Sequence, residues 1–154
     1  MDRPTTQRIA MRRTGELIYL AHPYSGATIK NTKSSILYAN HLLDLGFKVF
    51  NPLSHSHYMD LVKTRDHEEW LKLDFAILDR CDGLFLCPGW ESSMGCRMEW
   101  AYAIARRINI HTTRLFCNNC SGEMKGVCST AACPIEKLSH GEQPAEKDFK
   151  WDVV

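Results

Sequence analysis

The chain has 154 residues, 44% hydrophobic and 24% charged, the make-up of a globular domain large enough to bury a core. Its 19 Lys and Arg against 18 Asp and Glu leave a formal net charge of +1, which gives no ground for a nucleic-acid or anionic-membrane partner. No apolar run approaches the roughly 20 residues of a membrane helix, and Met1–Arg13 is basic without an apolar stretch. Residues 1–15 therefore read as a flexible lead and not as a secretory signal.

Leu17-Ile-Tyr-Leu-Ala21 is a continuous apolar run, as in a strand buried on both faces, and it breaks at the turn sequence His22-Pro-Tyr-Ser-Gly26. Asn31 then reads as the N-cap of a helix to Leu45, with Ile36, Ala39, Leu42 and Leu43 at helical spacing and Gly46 as its stop. Phe47–Phe50 is a second strand closed by Asn51-Pro52, followed by a polar loop over Ser54–Arg65. A helix from about Asp66 to Arg80 puts Trp70, Leu73, Ile77 and Cys81 on one face. Gly83–Cys87 is a third strand, Arg97–Arg107 a third long helix, with Glu99 in its first turn, and Ile108–Thr112 a fourth strand.

Strands alternating with helices predict an α/β fold: a flavodoxin- or Rossmann-like, doubly wound parallel sheet of four to five strands in the order 2-1-3-4. The domain spans residues 16–116. Beyond it, residues 117–154 form a Cys-rich appendage. Cys117-x2-Cys120-x7-Cys128-x4-Cys133 falls within zinc spacings, and a tetrahedral thiolate zinc would staple a segment with little apolar core of its own. Reduced, unliganded thiols explain the same residues, and any zinc there is structural; catalysis needs no cofactor. Seven cysteines, an odd number, point to a reducing cytoplasm and away from a disulfide framework.

Chemistry concentrates in Gly83-Leu-Phe-Leu-Cys-Pro-Gly-Trp90 and Glu91-Ser-Ser-Met-Gly-Cys-Arg-Met-Glu99. A strand ends in a loop of small and hydroxyl residues, and a helix carrying an acid follows. In open α/β sheets ligands bind outside the carboxyl ends of the strands, and helix N-termini favour anions. Three strand ends deliver Tyr19 with the loop His22, Tyr24, Ser25 and Gly26, the Asn51–Tyr58 segment, and Pro88–Glu99 to one edge. Asp74, one turn after Trp70, borders an apolar face; with Glu99 it supplies the two acids that glycosyl transfer uses. A separation of roughly 5–5.5 Å would mark double displacement. The plainer alternatives are a solvated first-turn acid for Glu99, a surface acid beside Lys72 or Arg80 for Asp74, and a core tyrosine for Tyr19. Asp79 reads as helix surface and Asp82 as a cap where the third strand starts.

Ile18-Tyr19-Leu20, Trp70-x3-Asp74-x7-Asp82 and Ser93-x-Gly95-x3-Glu99 resemble the nucleoside 2-deoxyribosyltransferase superfamily, including its nucleotide N-glycosidase branch. The resemblance covers roughly residues 16 to 112. Uncharacterised phage and bacterial members share segments like Ala21-His-Pro-Tyr-Ser25 and Asn51-Pro-Leu-Ser-His-Ser-His57. The resemblance implies that Glu99 is a nucleophile forming a glycosyl ester, that Tyr19 orients it, and that Asp74 is the acid/base. Nucleoside transferases of the family usually carry aspartate where this chain has Ser93. Ser92, Ser93 and Gly95 offer hydroxyl and N–H donors to an anion instead, which favours a nucleoside 5′-monophosphate. Arg97 departs from the small residue of nucleotide-hydrolysing relatives and either adds a phosphate contact or points outward. Ser25 and Gly26 are further phosphate candidates, although turns use both residues anyway.

Asn51, His55, His57 and Trp90 are the expected base pocket. His55 and His57 have no third ligand at a recognisable metal spacing. The expected activity is hydrolysis of the N-glycosidic bond of a (deoxy)nucleoside 5′-monophosphate. The alternatives are a deoxyribosyltransferase exchanging bases, an NAD-cleaving glycohydrolase, and a nucleotide-binding module without turnover. By resemblance the chain acts as a homodimer or higher homo-oligomer.

Overall fold

Leu17–Ala21 forms the central strand β1 in the computed structural model, which describes residues 15–113. The helix α1 (Thr28–Asp44) leads to β2 (Lys48–Phe50), and two helices follow, α2 (Pro52–Val62) and α3 (His67–Leu78). β3 (Gly83–Leu86), a 3₁₀ turn (Trp90–Ser92), α4 (Met94–Ala105) and β4 (Asn109–His111) complete the described residues. The sheet is four-stranded and wholly parallel, in the order β2-β1-β3-β4. Ile18 stands opposite Val49 on one side and Gly83 on the other, and Leu84 stands opposite Ile110.

Because side chains alternate along a strand, β1 and β3 present two apolar faces. Ile18, Leu20, Phe85 and Cys87 pack with Tyr38, Ala39 and Leu42 of α1 and with Phe47. Tyr19, Ala21, Leu84 and Leu86 pack with Leu78 of α3 and with Cys96 and Ala103 of α4. Burial on both faces explains the continuous apolar runs in β1 and β3, and each large side chain so buried stabilises the fold by roughly 1.5–3 kcal/mol. Among the described residues no helix is long and apolar enough to cross a membrane.

Gly83 is where the sheet is tightest. A Cβ there would lie 2.9 Å from Ile18 Cδ1 and 3.0 Å from His111 Cδ2, and Ile18 is fully buried, so its side chain would have to shift within a packed core. Gly83→Ala is expected to lower stability by about 1–3 kcal/mol through overpacking. The check is a urea melt, with a lower midpoint at unchanged slope; an unchanged midpoint would show that the β1–β3 contact yields.

Three expected boundaries move. α1 begins at Thr28, three residues before Asn31, and the Asn31 amide donates instead to the Tyr24 carbonyl at 3.0 Å. The segment expected as a polar loop, 54–65, is mostly helix α2. Its Asn51 side chain accepts the Leu53 N–H at 3.2 Å, and Pro52 occupies the first helical position, where its missing N–H is harmless. α4 begins at Met94 with Ser93 as N-cap, its Oγ accepting the Cys96 N–H at 3.3 Å, so Glu99 falls in the second turn and not the first. Asp82, expected to cap the start of the third strand, caps the start of β1 from its place just before β3: its Oδ2 accepts the Leu17 N–H at 2.8 Å. No fifth strand occurs among the described residues, and the appendage 117–154 lies outside them.

Candidate active site

The chain leaves β1, β2 and β3 at the same edge of the sheet, and there the starts of the helices enclose a cavity of about 710 Å³. Tyr19 belongs to the core, fully buried on β1, yet its hydroxyl donates to Glu99 Oε1 at 2.7 Å. Glu99 reaches that bond from the inward face of α4 and is only 6% exposed, while still lining the cavity. Asp74 lines the same cavity from α3, half-buried, and its charge and hydrogen bonding act on the same Tyr19 hydroxyl. A central strand and two helices thus converge two carboxyl groups on one phenol.

Burial dominates the proton affinities of this trio. It pushes the Glu99 carboxyl up to about 8; the Tyr19 hydrogen bond pulls it down and the neighbouring Asp74 charge pushes it further up. Asp74 is raised to about 6, again by burial and against the Tyr19 bond. Tyr19, desolvated and facing two acids, is held well above the usual tyrosine range and remains a donor. Adjacent acids with proton affinities drawn apart are the pattern of an acid/base pair.

Other expected residues gather around the trio. His22, Tyr24, Ser25, His57, Ser92, Ser93 and Gly95 line the cavity. His22 is fixed at both ring nitrogens: Nδ1 donates to the Pro23 carbonyl at 2.7 Å, and Nε2 lies 2.9 Å from the Ser34 hydroxyl. Burial lowers its pKa and keeps the ring neutral. The Tyr24 hydroxyl meets His57 Nδ1 at 2.9 Å, which locks the loop after β1 to α2.

Five expected site residues stand elsewhere. Asn51 is occupied as the α2 cap and as a donor to Ser35 Oγ at 2.9 Å, and does not line the cavity. His55 is exposed, its ring against Phe50 at 5.4 Å. Trp90 packs on the α4 side of the core and against Trp100, with ring centroids 5.6 Å apart. Of the expected base pocket, only His57 reaches the cavity. Gly26 serves the turn itself, with φ of 91°, and Arg97 is exposed on α4 outside the cavity, the outward of its two expected orientations.

The sequence reading missed Trp70, Asp60, Arg65 and His67, all of which line the cavity. The Trp70 indole N–H donates to Asp60 Oδ1 at 2.9 Å, so the ring expected in the core is held at the wall of the site. The helix that carries Asp60 was itself read as loop, which hid the pairing. Cys81, Cys87 and Cys96 are free and buried, and burial raises all three thiols, Cys81 to about 11 and Cys96 to about 12, which makes them inert packing groups. Cys117, Cys120, Cys128 and Cys133 lie outside the described residues.

No curated protein and no solved structure matches the chain. One family, Domain of unknown function (DUF4406), matches residues 16–112, a span that runs from just before β1 to the end of β4 and contains Tyr19, Asp74 and Glu99. The chain belongs to the DUF4406 family.

Proposed function

We propose that the chain hydrolyses the N-glycosidic bond of a nucleoside or deoxynucleoside 5′-monophosphate. The observation that carries this reading is the 2.7 Å bond from a fully buried tyrosine to a buried glutamate, with a second raised carboxyl group in the same cavity. The Tyr19 bond occupies Oε1 of Glu99 and leaves its second oxygen to attack C1′ of the sugar. As the C1′–O bond forms, the C1′–N bond breaks, its electron pair leaves with the base, and Asp74 supplies the proton the base requires. Water then attacks C1′, Asp74 takes its proton, and the ester opens to return the Glu99 carboxylate and free (deoxy)ribose 5-phosphate. Ser92, Ser93 and Gly95 at the start of α4 offer hydroxyl and N–H donors to the phosphate.

The test is incubation with ribo- and deoxynucleoside monophosphates, the matching nucleosides and NAD, with chromatography of the free base. Release from monophosphates is the expected result. Release only from nucleosides or from NAD would move the chain to one of those substrate classes, and incorporation of an added second base would make it a transferase. We further propose a homo-oligomer in a reducing, cytoplasmic setting. Supporting it are Met94, Met98, Trp100 and Ile104, 39–63% exposed along α4, and the free state of the three described cysteines.

A further inference from the structure

Asp74 and Glu99 line the cavity and, when ionised, would repel a phosphate. The basic side chains Arg65 and His67 stand where the chain enters α3, at least seven residues before Asp74. Arg65 is the single arginine lining the cavity, and no lysine lines it. Its guanidinium lies 6.0 Å over the Trp70 ring, and Asp60 anchors both parts of this arrangement. Asp60 Oδ1 accepts the Arg65 backbone N–H at 3.3 Å and the Trp70 indole N–H at 2.9 Å. Backbone and ring are thereby fixed through that carboxylate.

His67 approaches from the same segment. Its Cε1 lies 3.6 Å from the place a Cβ on Gly95 would take, so the imidazole rests against the first turn of α4 beside Ser93. The cavity wall therefore brings together a planar cationic fork, an imidazole, two serine hydroxyls and a glycine of a helix start, with Asp60 as the one carboxylate beside them and its Oδ1 already taken up by the Arg65 backbone N–H and the Trp70 indole N–H.

We propose that Arg65 and His67 hold the 5′-phosphate of the substrate against the start of α4, with Asp60 and Trp70 as positioning residues for Arg65. The proposal rests on the nucleotide reading above and assigns its specificity to a segment outside the Ser92–Glu99 loop. A guanidinium fork binds phosphate oxygens in pairs and is less strongly hydrated than an ammonium, so it suits a half-open wall. Holding the phosphate there points C1′ toward Glu99 and keeps the two negative ends of the complex apart.

The experiment is calorimetric titration of the full chain with ribose 5-phosphate and, separately, with ribose. Wild type is expected to prefer ribose 5-phosphate. Arg65→Ala should weaken that binding about 10- to 100-fold, the worth of a lost charge-assisted contact, and reduce its dependence on salt. Asp60→Ala should reproduce part of the loss. Arg65 is exposed, so an unchanged melting temperature will certify the variant as folded. Unchanged ribose 5-phosphate affinity in both Arg65→Ala and His67→Ala, with loss in Ser93→Ala, would assign the phosphate to α4 alone; that result overturns this proposal and leaves the hydrolase reading standing. Equal affinity of wild type for both sugars overturns it as well. In that case release of base from nucleosides would still support a glycosidase, whereas no release from any compound of the panel would end both.

Discussion

Glu99→Gln is expected to abolish base release while making the protein more stable in mild alkali. The activity loss, at least about 10³-fold, follows because an amide cannot form the glycosyl ester. The stability gain follows from burial. In the folded chain the Glu99 carboxyl holds its proton up to about 8, against an ordinary value of 4.5. Between those limits the folded state binds more protons than the unfolded state, so stability falls as pH rises through that window, and the whole penalty is present above pH 8. Glutamine keeps the shape, still accepts from the Tyr19 hydroxyl and never ionises. At pH 9 the variant should exceed wild type by a few kcal/mol, roughly 10 °C in melting temperature for a domain of this size. At pH 4 the two should converge. The measurement is a set of thermal melts from pH 4 to 9 on both proteins. A wild-type curve with no downward slope between pH 5 and 8 would mean that Glu99 is not the desolvated acid described above.

The second large effect concerns the pair. The kcat/KM profile for base release should be a bell with limbs near pH 6 and pH 8, set by the raised affinities of Asp74 and Glu99. Below the lower limb both acids are protonated and no nucleophile exists; above the upper limb both are ionised and no proton donor remains. Only the singly protonated pair with its proton on Asp74 works; Glu99 holds its proton the more tightly, so this is the minor of the two singly protonated forms, and the limbs belong to the pair jointly. Asp74→Asn should cost about 10²- to 10⁴-fold, the usual contribution of a proton donor, and should erase the fall at high pH. The remaining rise should lie below pH 8, because the Asp74 charge no longer opposes ionisation of Glu99. A profile flat from pH 5 to 9 in wild type, or an upper limb that survives in Asp74→Asn, would remove Asp74 from the proton-transfer step.

Much of the fold was legible because burial leaves a local mark. The five residues of β1 and the strand order 2-1-3-4 followed from apolar runs punctuated by turns and helices. α2 escaped because its residues carry weak helical patterning: Tyr58, Leu61 and Val62 are exposed, and Asn51-Pro52, which starts the helix, also reads as the end of a strand. That Tyr19, Asp74 and Glu99 would come together was legible because an acid beside an apolar face is conspicuous in one dimension. The cavity wall was not. Trp70 sits at core spacing on α3, and only its bond to Asp60, ten residues earlier on a different helix, turns it toward the site. Asn51, His55 and Trp90 show the converse: polar or aromatic residues near a site in sequence were already committed to a cap, a ring contact and the core.

Tyr19 has one further consequence, for how the family can change over time. It stands opposite Phe50 and Leu84 in the middle of the sheet, and its ring packs the core whether or not its hydroxyl has work to do. Glu99 has no such second employment: without chemistry it is a buried acid that weakens the fold above pH 5. A lineage released from selection for activity should therefore lose the glutamate first, to an amide or an apolar residue, and keep the tyrosine long afterwards. Under the proposed hydrolysis, Tyr19 marks ancestry among descendants and Glu99 marks living function.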